Sequence, residues 1–191
     1  MATARGAQAR FAVNPPAVRV MAERFFARRP LLAASMTRPA ALSRHAMQTS
    51  TVSTPFGKLA VSQSRSDGPP VLLLHGNSAC KEVFARQFDC PALSTYRLIA
   101  PDLPGHGASA DAPDATAAYA LDGFAAACAA LLDALGTGPV RALGWSLGGH
   151  IGLELLGRRP DLVSALMIVG TPPIPLDLSA MGAAFKPSPV M

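Results

Sequence analysis

Four short, mostly apolar runs, Val71-Leu72-Leu73-Leu74, Tyr96–Ala100, Val140–Leu143 and Val163–Val169, constrain this chain more than any other feature. A strand that is apolar on both faces belongs inside a covered, mostly parallel sheet. Between the runs lie helical stretches: Lys81–Phe88, Ala120–Leu135 closed by Gly136, and Leu147–Arg159 closed by Pro160. Alternating buried strand and helix is the pattern of an α/β sheet built by right-handed crossovers. Ahead of it, Thr51–Ser53, the turn Thr54-Pro55-Phe56-Gly57 and Lys58–Ser64 predict a β-hairpin. The expected class is therefore α/β, a mostly parallel sheet with an N-terminal hairpin.

Charge divides the chain in two. The net charge of the 191 residues is +5, yet residues 1–47 hold eight arginines against one acid, Glu23, and the other 144 residues carry −2. Pro15, Pro16, Pro30 and Pro39 interrupt any long helix in this stretch. Residues 1–47 read as a disordered basic leader, either an organelle transit peptide or a mis-assigned start upstream of Met47. The body from Gln48 onward is expected in the cytoplasm, or in a mitochondrion or plastid if the leader is a transit peptide. Dispersed arginines with few aromatics argue against nucleic-acid binding. No apolar run is long enough to cross a bilayer. The three cysteines, Cys80, Cys90 and Cys128, fit neither a disulfide framework nor a zinc cluster. No metal and no organic cofactor is implied, since clustered ligands and a dinucleotide fingerprint are both missing.

Three segments carry chemistry. Gly144-Trp145-Ser146-Leu147-Gly148-Gly149 stands between a strand and a helix. A serine on such a sharp turn must adopt a strained backbone, and small residues two positions away, Gly144 and Gly148, let helix and strand approach. Its hydroxyl is then held above the sheet edge, and the first helical amides are free to stabilise an oxyanion. His75-Gly76-Asn77-Ser78 leaves the first central strand, so the Asn77 amide, with that of Leu147, supplies two donors for a carbonyl oxygen. His75 reads as a structural histidine. Pro101-Asp102-Leu103-Pro104-Gly105-His106-Gly107-Ala108-Ser109 reads as a shaped loop, with Asp102 as hydrogen-bond anchor and His106 structural.

In this order and context the three motifs resemble the α/β-hydrolase superfamily over about residues 50–175, and most closely its serine branch of esterases and lactonases. Dehalogenase and epoxide-hydrolase branches are similar in these motifs but place Asp where this chain has Ser146. The resemblance implies Ser146 as nucleophile, Asn77 and Leu147 as oxyanion-hole amides, and a small-molecule ester or lactone as substrate. An acyltransferase on the same scaffold and a non-catalytic relative are the alternatives.

The family order is nucleophile, acid, histidine. After Ser146 the chain offers only His150, Glu154, Asp161 and Asp177. His150 lies in the helix that the serine points away from, so it is a poor base. Glu154 reads as a solvated helix face and Asp161 as a surface turn. Asp177 follows the strand Val163–Val169 and the loop Gly170-Thr171-Pro172-Pro173. The division expected is a hydrolase amino-terminal part over 48–173 and the start of a lid over 174–191. The sheet would be incomplete beyond about its sixth strand, the chain truncated at its C-terminus and inactive alone.

Overall fold

The computed structural model describes residues 47–171. The basic stretch before Met47, the segment from Pro172 onward and Asp177 lie outside the described residues.

The chain opens with the expected hairpin, β1 (Gln48–Thr54) and β2 (Gly57–Gln63), paired antiparallel in unbroken register from Gln48↔Gln63 to Thr54↔Gly57. Gly57 adopts φ 105°, a conformation that a residue with a Cβ rarely takes, and thereby closes the turn. Next come β3 (Pro70–Leu74), β4 (Arg97–Pro101), β5 (Val140–Trp145) and β6 (Val163–Val169). The six strands form one sheet in the order β1-β2-β4-β3-β5-β6. The β2–β4 pairing is antiparallel, and β4, β3, β5 and β6 run parallel to one another.

The α/β class and the N-terminal hairpin of the sequence reading are both present. Most boundaries shift by a residue or a few, β1 for instance running Gln48–Thr54 where Thr51–Ser53 was expected, and two differences bear on the site. β5 continues through Trp145, so Gly144 and Trp145, expected just beyond the strand, still pair with Ile168 and Val169 of β6. The helix expected over Lys81–Phe88 is a 3-10 turn, Lys81–Phe84, followed by a single α turn, α1 (Ala85–Phe88). The Lys81 backbone amide is drawn to the Asp102 carboxylate at 2.6 Å, tying the first residue of the segment to another loop. Phe84 and Phe88 nevertheless keep the helical spacing that buries both.

Alternate residues of the central strands face opposite layers, as the strand period of two requires. Leu72, Leu74 and Ile99 join the core made with α3 (Leu121–Leu135) and α4 (Leu147–Arg158). Val71, Leu73, Leu98 and Ala100 pack on the other face with Phe84 and Phe88. A short α2 (Ala115–Ala118) precedes α3, its first amides capped by Asp114, whose side chain accepts from Thr116 N and Ala117 N. Gly136 ends α3 at φ 57°, the left-handed position that glycine tolerates without strain. Cys128 is buried in α3 with its thiol pushed up to about 12 by desolvation, which keeps it protonated and unreactive. Among the described residues no helix is long and apolar enough to cross a membrane.

Candidate functional site

Strand β5 delivers the chain to Ser146, whose backbone sits at φ 53°, ψ −116°. Such a conformation costs a serine about 1–3 kcal/mol and persists only where surrounding bonds over-determine it. Three do so here. The Ser146 amide donates to Val169 O at 2.9 Å, while its carbonyl accepts from Gly149 N at 2.9 Å and from the Thr171 hydroxyl at 3.0 Å.

The glycines around it are required by space. A Cβ on Gly144 would fall 2.5 Å from the Gly148 carbonyl carbon and from Gly149 N. One on Gly148 would fall 2.6 Å from the Leu74 carbonyl carbon and 2.8 Å from His75 O, and closer still to Leu74 O. Helix α4 therefore starts with its backbone in contact with the end of β3, which is what brings the turn after β3 to the serine.

That turn is Gly76–Cys80. A Cβ on Gly76 would lie 3.3 Å from the Ser146 Cβ, so Asn77, the next residue, emerges beside the serine. Asn77 and Ser78 are exposed, and Ser78, at φ 55°, is the other non-glycine residue with positive φ among those described. Leu147 is the first residue of α4, where backbone amides precede the first intrahelical acceptor. The fold thus gathers Asn77, Ser146 and Leu147 at one end of the parallel strands, flanked by Gly144 and Gly148. Trp145 lies against Gly76 and beside Gly170 while remaining 40% exposed. It therefore packs on the elbow and faces solvent next to Ser146.

His75 is fully buried and has no ring nitrogen to spare: Nδ1 bonds Gly76 O at 2.8 Å and Nε2 accepts from Leu103 N at 3.1 Å. Those partners assign the proton to Nδ1. Burial is the main reason its pKa falls below the ordinary histidine value, only partly opposed by the bond to Gly76. His106 Nδ1 lies 3.0 Å from Pro104 O, and its ring stands against His75 and Phe124. His150 is in the first turn of α4, where its Nδ1 is buried with no partner among the described residues. Glu154 pairs with Arg158 along the helix, and Asp161 bonds Arg159, which also grips Asp133. Both acids thus serve the surface of the helix layer.

Asp102 is fully buried and accepts from Lys81 N, from Lys81 Nζ at 2.8 Å and from Ala108 N at 2.8 Å. Cys80, Glu82 and Asp102 form the one group among the described residues spaced to hold a metal ion. The Lys81 ammonium already lies 2.8 Å from both carboxylates. The Cys80 thiol is pushed up, chiefly by its hydrogen bond to Glu82, so it stays protonated and is a poor ligand. The donor set therefore suits the lysine already there better than a divalent cation.

Sequence reasoning missed Lys81, Ser78 and Thr171. Lys81 carried no signal, because a lysine at a helix start ordinarily reads as solvated. Thr171 appeared only as part of a loop, since its bond to Ser146 O joins positions 25 apart in the chain.

A family model described as alpha/beta hydrolase fold matches residues 69–189. Lipase LipV of Mycobacterium tuberculosis is 38% identical over 120 residues, 62% of this chain and 43% of that protein. A pimeloyl-[acyl-carrier protein] methyl ester esterase of Chromobacterium violaceum is 38% identical over 111 residues, 58% of this chain and 40% of its own length. Among solved structures, the N-acyl homoserine lactonase AidH, complexed with N-butanoyl homoserine, superposes with a TM-score of 0.68 at 40% identity. That match covers 75% of this chain and 51% of the lactonase. The chain thus spans less than half the length of these curated relatives and about half that of the lactonase.

Proposed function

Since the chain belongs to the alpha/beta hydrolase fold family, and so to a family of hydrolytic enzymes, we propose that it carries the nucleophile and oxyanion hole of a serine hydrolase acting on carboxylic esters or lactones. The single observation that carries the reading is Ser146 at φ 53° on the β5–α4 turn, beside the Asn77 loop. A strained serine on a turn between the Asn77 loop and the start of a helix, both of which carry backbone amides, suits attack on a carbonyl.

In the proposed reaction the Ser146 hydroxyl adds to the carbonyl carbon and its proton passes to a general base. The oxygen of the tetrahedral intermediate becomes an oxyanion held by the Asn77 and Leu147 amides. The base returns that proton to the leaving oxygen as collapse expels the alcohol, or opens the lactone ring, and leaves an ester on Ser146. Water then adds to that ester, and the acid is released. His75 spends both ring nitrogens on backbone and His150 lies within the helix leading away from the serine, so neither is assigned as the base. The small-molecule substrate class is supported by the esterase and lactonase relatives, whose names are those of ester and lactone chemistry.

Fluorophosphonate labelling tests the proposal. Covalent modification mapped to Ser146, lost in Ser146→Ala and suppressed by short acyl esters or N-acyl lactones, is the expected result. Labelling spread over other serines, or persisting in Ser146→Ala, would overturn it.

A further inference from the structure

The turn Gly76–Cys80 hangs by both ends from two consecutive residues, Asp102 and Leu103. At its start, His75 accepts from Leu103 N at 3.1 Å and bonds Gly76 O at 2.8 Å. At its end, Lys81 gives Asp102 two bonds, from its backbone amide at 2.6 Å and its ammonium at 2.8 Å. Asp102 is itself immobilised. Its amide donates to Ala60 O at 2.8 Å, its carbonyl accepts from Ser109 Oγ at 2.8 Å, and Gly107 packs so close that a Cβ there would collide with the carboxylate.

Lys81 is 4% exposed, unusual for a lysine, and its stem passes inward to reach a fully buried acid. Between the two anchors lies Ser78 at φ 55°, so the turn is held in a conformation it would not keep if one end were free. Oxyanion donors act only when held to within about half an ångström of the developing charge. We propose that Lys81 is a positioning residue, which through its buried ion pair with Asp102 fixes the far end of the Gly76–Cys80 turn and so the place of the Asn77 amide beside Ser146. The anchoring stands on geometry alone; its chemical consequence rests on the reading of Asn77 as an oxyanion donor.

The 191-residue chain and two variants test it. Lys81→Met keeps the length of the side chain and removes donor and charge. Lys81→Met/Asp102→Asn also removes the carboxylate that would otherwise be left buried with no counter-charge, and so protects the fold. The first readout is amide exchange. Both variants should speed exchange about tenfold at the amides of residues 81 and 103, which bond Asp102 and His75 at the two ends of the turn, while β3 stays protected. Unchanged exchange at both would overturn the anchoring. The second readout is fluorophosphonate labelling of Ser146. The saturating rate should fall about tenfold to a hundredfold with the half-saturating concentration nearly constant. The double variant should recover melting temperature without recovering labelling, whereas a merely structural lysine would recover both. Loosened exchange with unchanged labelling would overturn the positioning role. A parent chain that does not label at all, as its expected inactivity alone would give, counts against neither the anchor, which exchange still decides, nor the functional reading, which is then tested on a form of the protein that supplies a general base.

Discussion

Three of the four glycines on helix α4 provide a graded test of how closely that helix is driven onto the sheet. Gly148→Ala places a Cβ 2.6 Å from the Leu74 carbonyl carbon and 2.8 Å from His75 O. Ordinary carbon contacts are about 3.5–4.0 Å, so about 1 Å must open between α4 and β3. Neither wall is a flexible side chain: β3 is the strand bonded to both β4 and β5. Overpacking relieved by side chains costs about 1–3 kcal/mol; with backbone on both sides we expect about 3–5 kcal/mol. For a chain of this size that is a melting temperature lowered by about 6–20 °C. Gly152→Ala meets Leu166 Cδ1 at 2.7 Å, the end of a flexible side chain, and should cost under about 1.5 kcal/mol. Gly157→Ala meets nothing within 4 Å and should stabilise by about 0.5–1 kcal/mol, since alanine is the better helix former. Urea denaturation followed by circular dichroism reads all three. If Gly148→Ala and Gly157→Ala fall within 1 kcal/mol of each other, the close approach of α4 to β3 is wrong.

Ser146→Gly should raise stability by about 1 kcal/mol or more by relieving the φ 53° strain, while removing the proposed nucleophile; thermal melting beside probe labelling would show both. Thr171→Val removes the hydroxyl bonded to Ser146 O and should cost about 1 kcal/mol, and Thr171→Ser should recover most of it. His75 has a folded pKa below its unfolded one, so its neutral form contributes stability that is complete above the ordinary histidine value near 6.5 and is lost as pH falls. The urea midpoint should therefore drop between pH 7.5 and 5.5, with a shallower slope in His75→Gln. Asp114→Ala deletes the cap on Thr116 N and Ala117 N and should cost about 1 kcal/mol in the same assay.

What the sequence disclosed is what local pattern controls. Val71–Leu74 and Val163–Val169 were readable as strands because apolar runs of that length have few other uses, and Thr54–Gly57 as a turn because its residue types suit no other conformation. The Ser146 elbow was readable because glycines at fixed offsets reflect a steric need that stays within one segment. The Lys81–Asp102 pair was not readable, because each partner alone looks ordinary and only the pairing of β3 with β4 brings them together. The break at Lys81–Phe84 escaped for the same reason: a helical spacing of Phe84 and Phe88 cannot reveal that the first amide is claimed by another loop. Thr171 required knowledge that β6 ends beside the elbow. Ser78 required the strain itself, since serine gives no hint of a positive φ.

The strand order bears on how the chain is made. β3 lies between β4, which follows within a few turns, and β5, which is reached only after α3 has been completed. During synthesis the first four strands can assemble as β1-β2-β4-β3, leaving Leu72 and Leu74 and one whole side of β3 without neighbours until Val140–Trp145 leaves the ribosome. That nascent intermediate presents an apolar strand with one unpaired edge, the kind of surface that chaperones shield and that joins nascent chains to one another. Yield should consequently depend on how quickly translation passes from Gly136 to Trp145, so that slow codons placed in this interval would lower the soluble fraction although every residue of the finished protein is unchanged.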